Sequence, residues 1–184
     1  NYYQLELLQE IDDAGDFSCR CQSPFHLKPY FPLADLEKAS DMHRRFRSER
    51  VYSGRVKLFM DGVTDSYTAY YVDDYLDRPG FHGEALFGAD EFNAAAIEIE
   101  KRGLQINVHC VGDAAVRRTL DGCAAARKVH GPRDTRHRIE HIELVHPDDI
   151  PRFKELGVIA SMQTLHAPGI QFPVDSFLGH IPAK

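Results

Sequence analysis

The chain has 184 residues, of which 43% are hydrophobic, 10% aromatic and 27% charged. This is the composition of a folded globular domain, and no apolar run approaches the about 20 residues of a membrane helix. The formal charge of -6 would repel nucleic acid. We therefore expect no nucleic acid and no membrane as partner, and favour a small molecule. The four cysteines lack the spacing of a disulfide framework, which predicts a cytoplasmic protein.

Apolar periodicity predicts helices and strands that alternate along the chain. The first helix has Leu5, Leu8 and Ile11 on its buried face and ends near Gly15. Later helices are predicted at residues 33–46, 90–103 (with Asp90 as N-cap), 112–131 and 147–157. The candidate strands are residues 17–21, 56–60, 104–110, 137–142 and 158–162.

Each candidate strand except the last is followed by a helix, which favours parallel strands joined by helical crossovers. A doubly wound α/β sheet and a (β/α)₈ barrel both fit this order. A complete barrel takes about 250 residues, so on the barrel hypothesis the five candidate strands form an incomplete set. No linker interrupts the pattern, and we predict a single domain over residues 1–184.

The longest irregular stretch is residues 61–89, which is rich in tyrosine. A loop of this length inside a compact domain is usually functional. Its tyrosines suggest an aromatic or otherwise apolar group on the substrate, and Tyr67 and Tyr70 are the candidates for substrate binding.

Three polar side chains lie within or at the ends of predicted strands: Lys57, His109 and His141. The carboxyl ends of parallel strands build the active sites of α/β folds, so these side chains can converge although they are far apart in sequence. Each alone has an ordinary explanation, because a lone histidine is more often structural than a ligand and a lysine can extend to solvent. Together, at successive strand ends, they favour a functional site.

Five segments, taken in order, resemble the amidohydrolase superfamily and within it amidohydrolase family three, which includes N-substituted formamide deformylases. The segments are 56–62 (VKLFMDG), 68–69 (TA), 109–116 (HCVGDAAV), 136–141 (RHRIEH) and 161–163 (SMQ) followed by His166. The resemblance runs from about Ser53 to His166, which is most of the chain.

The resemblance implies a (β/α)₈ TIM-type barrel, of which this chain would hold about strands 3–7, with one or two divalent metals, usually zinc. Lys57 would lie on the fourth strand and bridge two metals as a carbamate, and His109 and His141 would be ligands on the next two strands. His166 would lie near the substrate. Metal-activated water would then hydrolyse a non-peptide carbon–nitrogen bond of an amide or formamide-like small molecule.

The family pattern also contains an H-x-H pair on the first strand and an Asp on the eighth, and the sequence has neither. We therefore expect this chain alone to be inactive and its open sheet edges to favour self-association. A Schiff-base lysine at Lys57, as in aldolase-type barrels, is a second enzymatic hypothesis, although it gives no role to His109 and His141. A non-catalytic fragment that keeps the fold is the third.

Neighbouring polar residues receive subsidiary roles. Asp113 is predicted to cap the following helix rather than to orient His109. Strand alternation predicts that Glu140 points away from the site and pairs with a nearby arginine. By the same alternation, His137 shares the face of His141 at the opposite end of the strand.

Overall fold

The structure, a computed structural model, describes residues 2–166, 170 and 179–181. In chain order the elements are α1 (Tyr2–Asp13), β1 (Cys21–Gln22), β2 (Phe25–His26), α2 (Leu36–Arg45), β3 (Val51–Tyr52), β4 (Arg55–Phe59), α3 (Ala89–Lys101), β5 (Gln105–Cys110), α4 (Asp113–His130), β6 (Arg138–His141), α5 (Ile150–Leu156) and β7 (Ile159–Ser161). Short 3₁₀ helices at Leu33–Asp35 and Pro147–Asp149 lead into α2 and α5, and a third, Thr164–His166, follows β7.

The main sheet contains five parallel strands in the order β2-β4-β5-β6-β7, and β1 and β3 form a separate parallel pair. From β4 onwards the order in space follows the order in sequence, because a helix carries the chain from each strand to the next. The predicted α/β fold with parallel strands is confirmed. Within the part of the chain that the structure describes, the sheet does not close on itself, and β2 and β7 each have one neighbour in it.

The sheet has one apolar face. Side chains alternate along a strand, and one set of alternating positions is fully buried: Val56 and Leu58 of β4, Ile106 and Val108 of β5, and Ile139 of β6. These side chains form a single cluster with residues of α3 and α4. The other set of positions, which we call the inner face, carries the polar residues of the same strands.

Helices α3 and α4 cover the apolar face. Phe92, Ala96 and Ile99 recur at helical spacing on α3, and they are fully buried together with Val116 and Leu120 of α4. Burial of one large apolar side chain contributes about 1.5–3 kcal/mol, so this layer holds the strands in register beneath the inner face. Among the described residues, no helix is long and apolar enough to cross a membrane.

The first predicted strand, residues 17–21, is wrong. Only Cys21 of this stretch lies in a strand, and the first strand of the main sheet is β2. Phe17 packs against a small cluster formed by Leu5 of α1 and Met42 of α2. Phe17 is therefore partly buried against helices and not within a sheet. The apolar alternation that begins at Phe17 resembles a strand, but it has a different cause.

Two predicted helix caps are also wrong. The N-cap of α3 is Gly88, and Asp90 lies in the first turn, where the Glu91 carboxylate accepts a hydrogen bond of 3.2 Å from the Gly88 N–H. The N-cap of α4 is Gly112, and Asp113 is the first residue of the helix. Acidic residues favour the whole first turn, because the helix dipole is positive there. An acid alone therefore locates a helix start to within a residue or two.

The loop of residues 61–88 is packed against the end of β5 and the start of α4. Tyr71 and Tyr75 are buried in a cluster with Val111. The Tyr70 carbonyl lies so close to Gly112 that a Cβ at this glycine would come within 2.0 Å of it. The loop is therefore a fixed wall of the domain at the carboxyl ends of the strands.

Candidate metal centre

The inner face brings residues of three strands into line. The register pairs Phe59 of β4 with His109 of β5, and His109 with Glu140 of β6. Paired residues of a parallel sheet point to the same face, so these side chains share the inner face with Lys57, two residues before Phe59. The centroid of the Phe59 ring lies 4.9 Å from that of His109 and 4.7 Å from the Lys57 Nζ.

Lys57 forms an ion pair with Glu140, so the prediction that Glu140 points away from the site is wrong. The prediction assumed that Glu140 and His141, as neighbours in a strand, point to opposite faces. This assumption fails because the backbone of His141 has a positive φ angle and no longer follows the strand. Glu140 also lies 3.8 Å from Arg138, the type of contact predicted for it. Burial acts to raise the pKa of Glu140. The hydrogen bond and charge of Lys57, together with Asn107 and Arg138, outweigh this effect and keep the pKa below its usual value.

His109 is held in one tautomer. Its Nε2 lies 2.7 Å from the carbonyl oxygen of Gly62. A carbonyl can only accept, so Nε2 carries the hydrogen and donates it, which leaves the lone pair on Nδ1. The side chain is buried, and this burial lowers the pKa of His109. The ring is therefore neutral at neutral pH and has one nitrogen with a lone pair.

His141 reaches the inner face through a change of backbone conformation. His141 and Ile142 have φ angles of 75° and 56°, a left-handed pair that is rare outside glycine and rarer still for a β-branched residue. The turn lets the rings of His141 and His109 lie on one side, with centroids 4.5 Å apart. Burial first, and then the neighbouring His109, lower the pKa of His141 to about 4. Its Nδ1 is buried and has no hydrogen-bond partner among the described residues.

His166 joins the same group of rings. It lies in the 3₁₀ helix after β7, and its ring stacks on that of His141 with a centroid distance of 5.1 Å and an interplanar angle of 13°. Its Nδ1 lies 2.9 Å from the carboxylate of Glu143. The structure thus places His109, His141 and His166 in a continuous row that begins beside Lys57.

The two predicted tyrosines do not join this row. Tyr70 packs on Arg118 of α4, whose guanidinium lies 5.0 Å from the ring centroid and donates a hydrogen bond of 3.2 Å to the Tyr70 hydroxyl. Tyr67 lies under the Arg78 guanidinium, 3.2 Å from its ring centroid, and its hydroxyl donates to Asp77 at 2.6 Å. Both rings stabilise the loop, and their substrate role stays a prediction.

Asp61 is a further candidate site residue, which the sequence alone places only at the start of the irregular stretch 61–89. Its carboxylate accepts three backbone hydrogen bonds, from Tyr70 (3.0 Å), Val111 (3.0 Å) and Gly112 (2.8 Å), and lies 3.7 Å from the Nε2 of His109. Burial raises the pKa of Asp61 to about 7, although these donors oppose the rise. Asp61 therefore ties the loop to the end of β5, beside His109. The available signal was an Asp directly after a strand that carries a candidate ligand.

Two further polar residues hold the frame rather than the site. Asp113 accepts a hydrogen bond of 2.9 Å from the backbone of Val72 and so anchors the loop. His137 is buried on the apolar side, where its Nδ1 accepts from the Ile106 N–H at 3.1 Å and its Nε2 lies 3.5 Å from Glu100. The predicted common face of His137 and the His141 ring is therefore wrong, because the left-handed turn moves only the later ring to the inner face.

Two histidines of this row are suited to bind a metal. The Gly62 carbonyl leaves the lone pair of His109 on Nδ1, and His141 has a buried nitrogen without a partner among the described residues. Neutral imidazoles of this kind are the usual ligands of zinc. Lys57, as an ammonium paired with Glu140, donates and cannot ligate a cation. Counting only His, Cys, Asp and Glu, residues 2–166, 170 and 179–181 contain no group of three or more that is arranged to hold a metal.

Solved structures share this fold. Over 88% of this chain, metal-dependent hydrolases of uncharacterised function from Pyrococcus furiosus and Pyrococcus horikoshii OT3 are similar with TM-scores of 0.70 and 0.68 and sequence identities of 31% and 28%. The matched part is 32% and 31% of those chains.

Sequence comparison gives relatives of the same kind. The chain is 31% identical over 140 residues to Protein LONG AFTER FAR-RED 3 of Arabidopsis thaliana, and 25% identical over 160 residues to the putative amidohydrolase YtcJ of Bacillus subtilis. It is also 25% identical over 170 residues to an N-substituted formamide deformylase of Arthrobacter pascens. These alignments cover 74%, 86% and 91% of this chain, but only 24%, 28% and 30% of the relatives.

The model of the amidohydrolase family matches residues 1–184, the whole of the chain. Its segments at Lys57, His109 and His141, which resemble that family in sequence, lie at adjacent strand ends in the structure. The chain therefore belongs to the amidohydrolase family, and within it to amidohydrolase family three.

Proposed function

We propose that this chain forms the middle of the active site of a metal-dependent hydrolase that cleaves a non-peptide carbon–nitrogen bond of an amide or formamide-like substrate. One observation carries the proposal. His109 and His141, at the carboxyl ends of adjacent strands, present neutral imidazoles whose ring centroids lie 4.5 Å apart. The name of the formamide deformylase relative supports the choice of bond. Because the chain spans less than a third of its relatives, the activity is proposed for the full-length protein.

The histidines would hold the metal. His109 offers Nδ1, since Gly62 holds its other nitrogen as a donor, and the depressed pKa of His141 keeps that ring available at neutral pH. Bound there, a divalent metal, which we expect to be zinc, would act as a Lewis acid that lowers the pKa of water to about 7 and polarises a carbonyl.

Lys57 requires a chemical change before it can take part. Its neutral amine would add to carbon dioxide to form an N–C bond, with release of one proton to solvent, and the resulting carbamate would carry one negative charge shared by two oxygens. In the structure Lys57 is held by Glu140, so the change would also separate this pair. The carbamate would then add oxygen ligands beside the two imidazoles.

The substrate would occupy a cavity of about 380 Å³ beside the histidine row. Ile142 and Met162 give the cavity apolar walls, while Gln163 and Thr164 supply polar ones, and His141 and His166 also line it. This mixture suits an amide that carries an apolar substituent.

The Schiff-base alternative is less well supported because it gives no role to the two imidazoles of His109 and His141. The state of Lys57 does not separate the two hypotheses, since both start from the neutral amine. The carboxylate of Glu140 and the ring of Phe59 stabilise the Lys57 ammonium and oppose both reactions equally.

The test is made on the full-length protein with zinc present. Lys57→Ala should abolish hydrolysis of an N-formyl amide and lower the bound metal, while Lys57→Glu should keep part of both, because a carboxylate supplies part of the carbamate's ligation. Lys101→Ala, on the exposed end of α3, is the matched control and should change neither. Unchanged metal content in Lys57→Ala would refute the bridging role, and trapping of Lys57 by borohydride with a carbonyl substrate would support the aldolase-type alternative.

A further inference from the structure

A hydrogen bond between a carboxylate and a histidine lies in the wall of the cavity proposed for the substrate. Neither of its two residues is a predicted metal ligand. Glu143 and His166 are 23 residues apart, and they meet where the turn after β6 faces the 3₁₀ helix after β7. The Glu143 Oε1 lies 2.9 Å from the His166 Nδ1, and the Glu143 side chain is only 7% exposed. Both residues line the cavity of about 380 Å³.

Contacts with three described residues position His166. Glu143 holds one edge through Nδ1, the face of His141 supports the ring plane at 5.1 Å, and the backbone is anchored because the His166 N–H donates to the Gln163 carbonyl at 3.1 Å. An imidazole held only by its face can rotate by half a turn, which exchanges a nitrogen with a carbon at each position. A hydrogen bond to one nitrogen selects the orientation and the tautomer.

The position of Glu143 also depends on the left-handed turn. The positive φ angles of His141 and Ile142 end the strand alternation, and Glu143 follows them directly. The turn that carries the His141 ring to the inner face therefore also brings the carboxylate to the cavity. A strained backbone of this kind costs about 1–3 kcal/mol per residue and persists chiefly where function requires it.

We propose that Glu143 is a positioning residue, which fixes the orientation of the His166 imidazole toward a substrate bound in this cavity. The inference rests on the proposed function, because it assumes that the cavity receives the amide substrate. Glu143 itself contacts neither the predicted ligand nitrogens nor the reacting bond in this assignment. Its effect on turnover would pass through His166 alone.

The alternative is that the pair only links two turns of the fold. The two roles differ in what a conservative replacement does. Glu143→Gln keeps an oxygen that accepts the Nδ1–H of His166 and so preserves the orientation, whereas Glu143→Ala removes the acceptor. If the pair is merely structural, Glu143→Ala should lower the free energy of unfolding but leave kcat/KM of the folded protein unchanged.

The kinetic test uses the full-length zinc-loaded protein and an N-formyl amide with an apolar substituent. Glu143→Ala should lower kcat/KM by about 10- to 100-fold, as loss of an orienting partner of a histidine does, while Glu143→Gln should retain most of it. In the His166→Ala background the same Glu143→Ala change should have little further effect. Asp148→Ala, which removes a carboxylate 3.5 Å from His146 on the same segment, is the matched control and should have no effect.

Two readouts do not depend on turnover. Bound zinc should be the same in Glu143→Ala and in the parent protein, and a fall would overturn the proposal, because Glu143 would then act through His141. In ¹⁵N-histidine-labelled protein, a slowly exchanging Nδ1–H resonance that is absent from His166→Ala should persist in Glu143→Gln and disappear in Glu143→Ala. Its persistence in Glu143→Ala would refute the inference. A parent protein with this resonance but without hydrolysis would refute the proposed function instead.

Discussion

Replacement of Gly112 by alanine tests how tightly the loop is packed against the site. A Cβ at this position would lie 2.0 Å from the backbone oxygen of Tyr70, whereas ordinary van der Waals contact begins at 3.4 Å. The Tyr70 backbone must therefore retreat by about 1.4 Å, the difference between these distances. No side-chain rotation can relieve the contact, because the clashing atom belongs to the main chain.

The expected cost follows from the bonds that this retreat breaks. The Tyr70 N–H donates to Asp61, and its carbonyl accepts from the Ala115 N–H at 3.2 Å. Loss of two such bonds at about 0.5–1.5 kcal/mol each, with about 1–3 kcal/mol for overpacking, gives a loss of about 2–6 kcal/mol in the free energy of unfolding. The φ angle of Gly112 is −80°, so backbone strain does not contribute.

Gly88→Ala provides a matched control. Gly88 is also a helix N-cap with a negative φ angle, −61°, and its nearest neighbour to an added Cβ is 4.0 Å away. Its substitution should change stability by less than about 1 kcal/mol, because the gain in chain stiffness offsets the weaker cap. Equilibrium urea unfolding followed by circular dichroism measures both variants in the full-length protein. Equal stabilities of the two variants would refute the packing argument.

Two further predictions concern buried polar groups. Asp61→Asn should lower the free energy of unfolding by about 2–4 kcal/mol at pH 8, although the two side chains are equal in size. The amide NH₂ cannot accept from the backbone donors that bind the carboxylate, and a buried donor without an acceptor costs about 1–3 kcal/mol. Asp148→Asn, at an exposed position, should be neutral in the same urea titration, and a neutral Asp61→Asn would contradict this account. The pKa of His137 lies below the 6.5 of an exposed histidine because the ring is buried, so between these two values the unfolded chain binds more protons and stability falls as the pH falls. His137→Gln should remove this component from the pH dependence of stability below pH 6.5; an identical pH dependence in the variant would show that His137 does not titrate as described. Asp61, with its pKa raised to about 7, contributes in the opposite direction over this range, which is why the comparison is between variants rather than between pH values alone.

Much of the architecture follows from local pattern. The strands at Lys57 and His109 were predictable because short apolar runs end at a polar residue and are bounded by turn residues. Their convergence was predictable because parallel strands align their carboxyl ends. The short β2 strand was not predictable from two residues, and its place in the sheet depends on pairing with β4 over a distance of about thirty residues in sequence.

The contacts of Glu140 and Asp61 could not be predicted from the local sequence pattern, for a different reason. Strand parity predicts faces only while the backbone stays extended, and the positive φ angle of His141 breaks this condition at the residue from which parity was counted. Asp61 accepts hydrogen bonds from three described backbone N–H groups, the nearest of them nine residues away, and backbone groups carry no side-chain signal. The partners of both residues became identifiable only when the loop and β6 had their positions in three dimensions.

The left-handed pair at His141 and Ile142 changes how sequence variation in this region should be interpreted. Upstream of the pair on β6, an odd–even rule separates positions: changes at Arg138 and Glu140 alter charge on the inner face, and a change at Ile139 alters the core. From Ile142 onwards the rule no longer holds, because the adjacent residues Ile142 and Glu143 both line the cavity. A survey of natural variants that applied one parity across the whole segment would therefore assign Glu143 to the wrong side of the sheet, and an insertion or deletion here would exchange core and cavity positions at once.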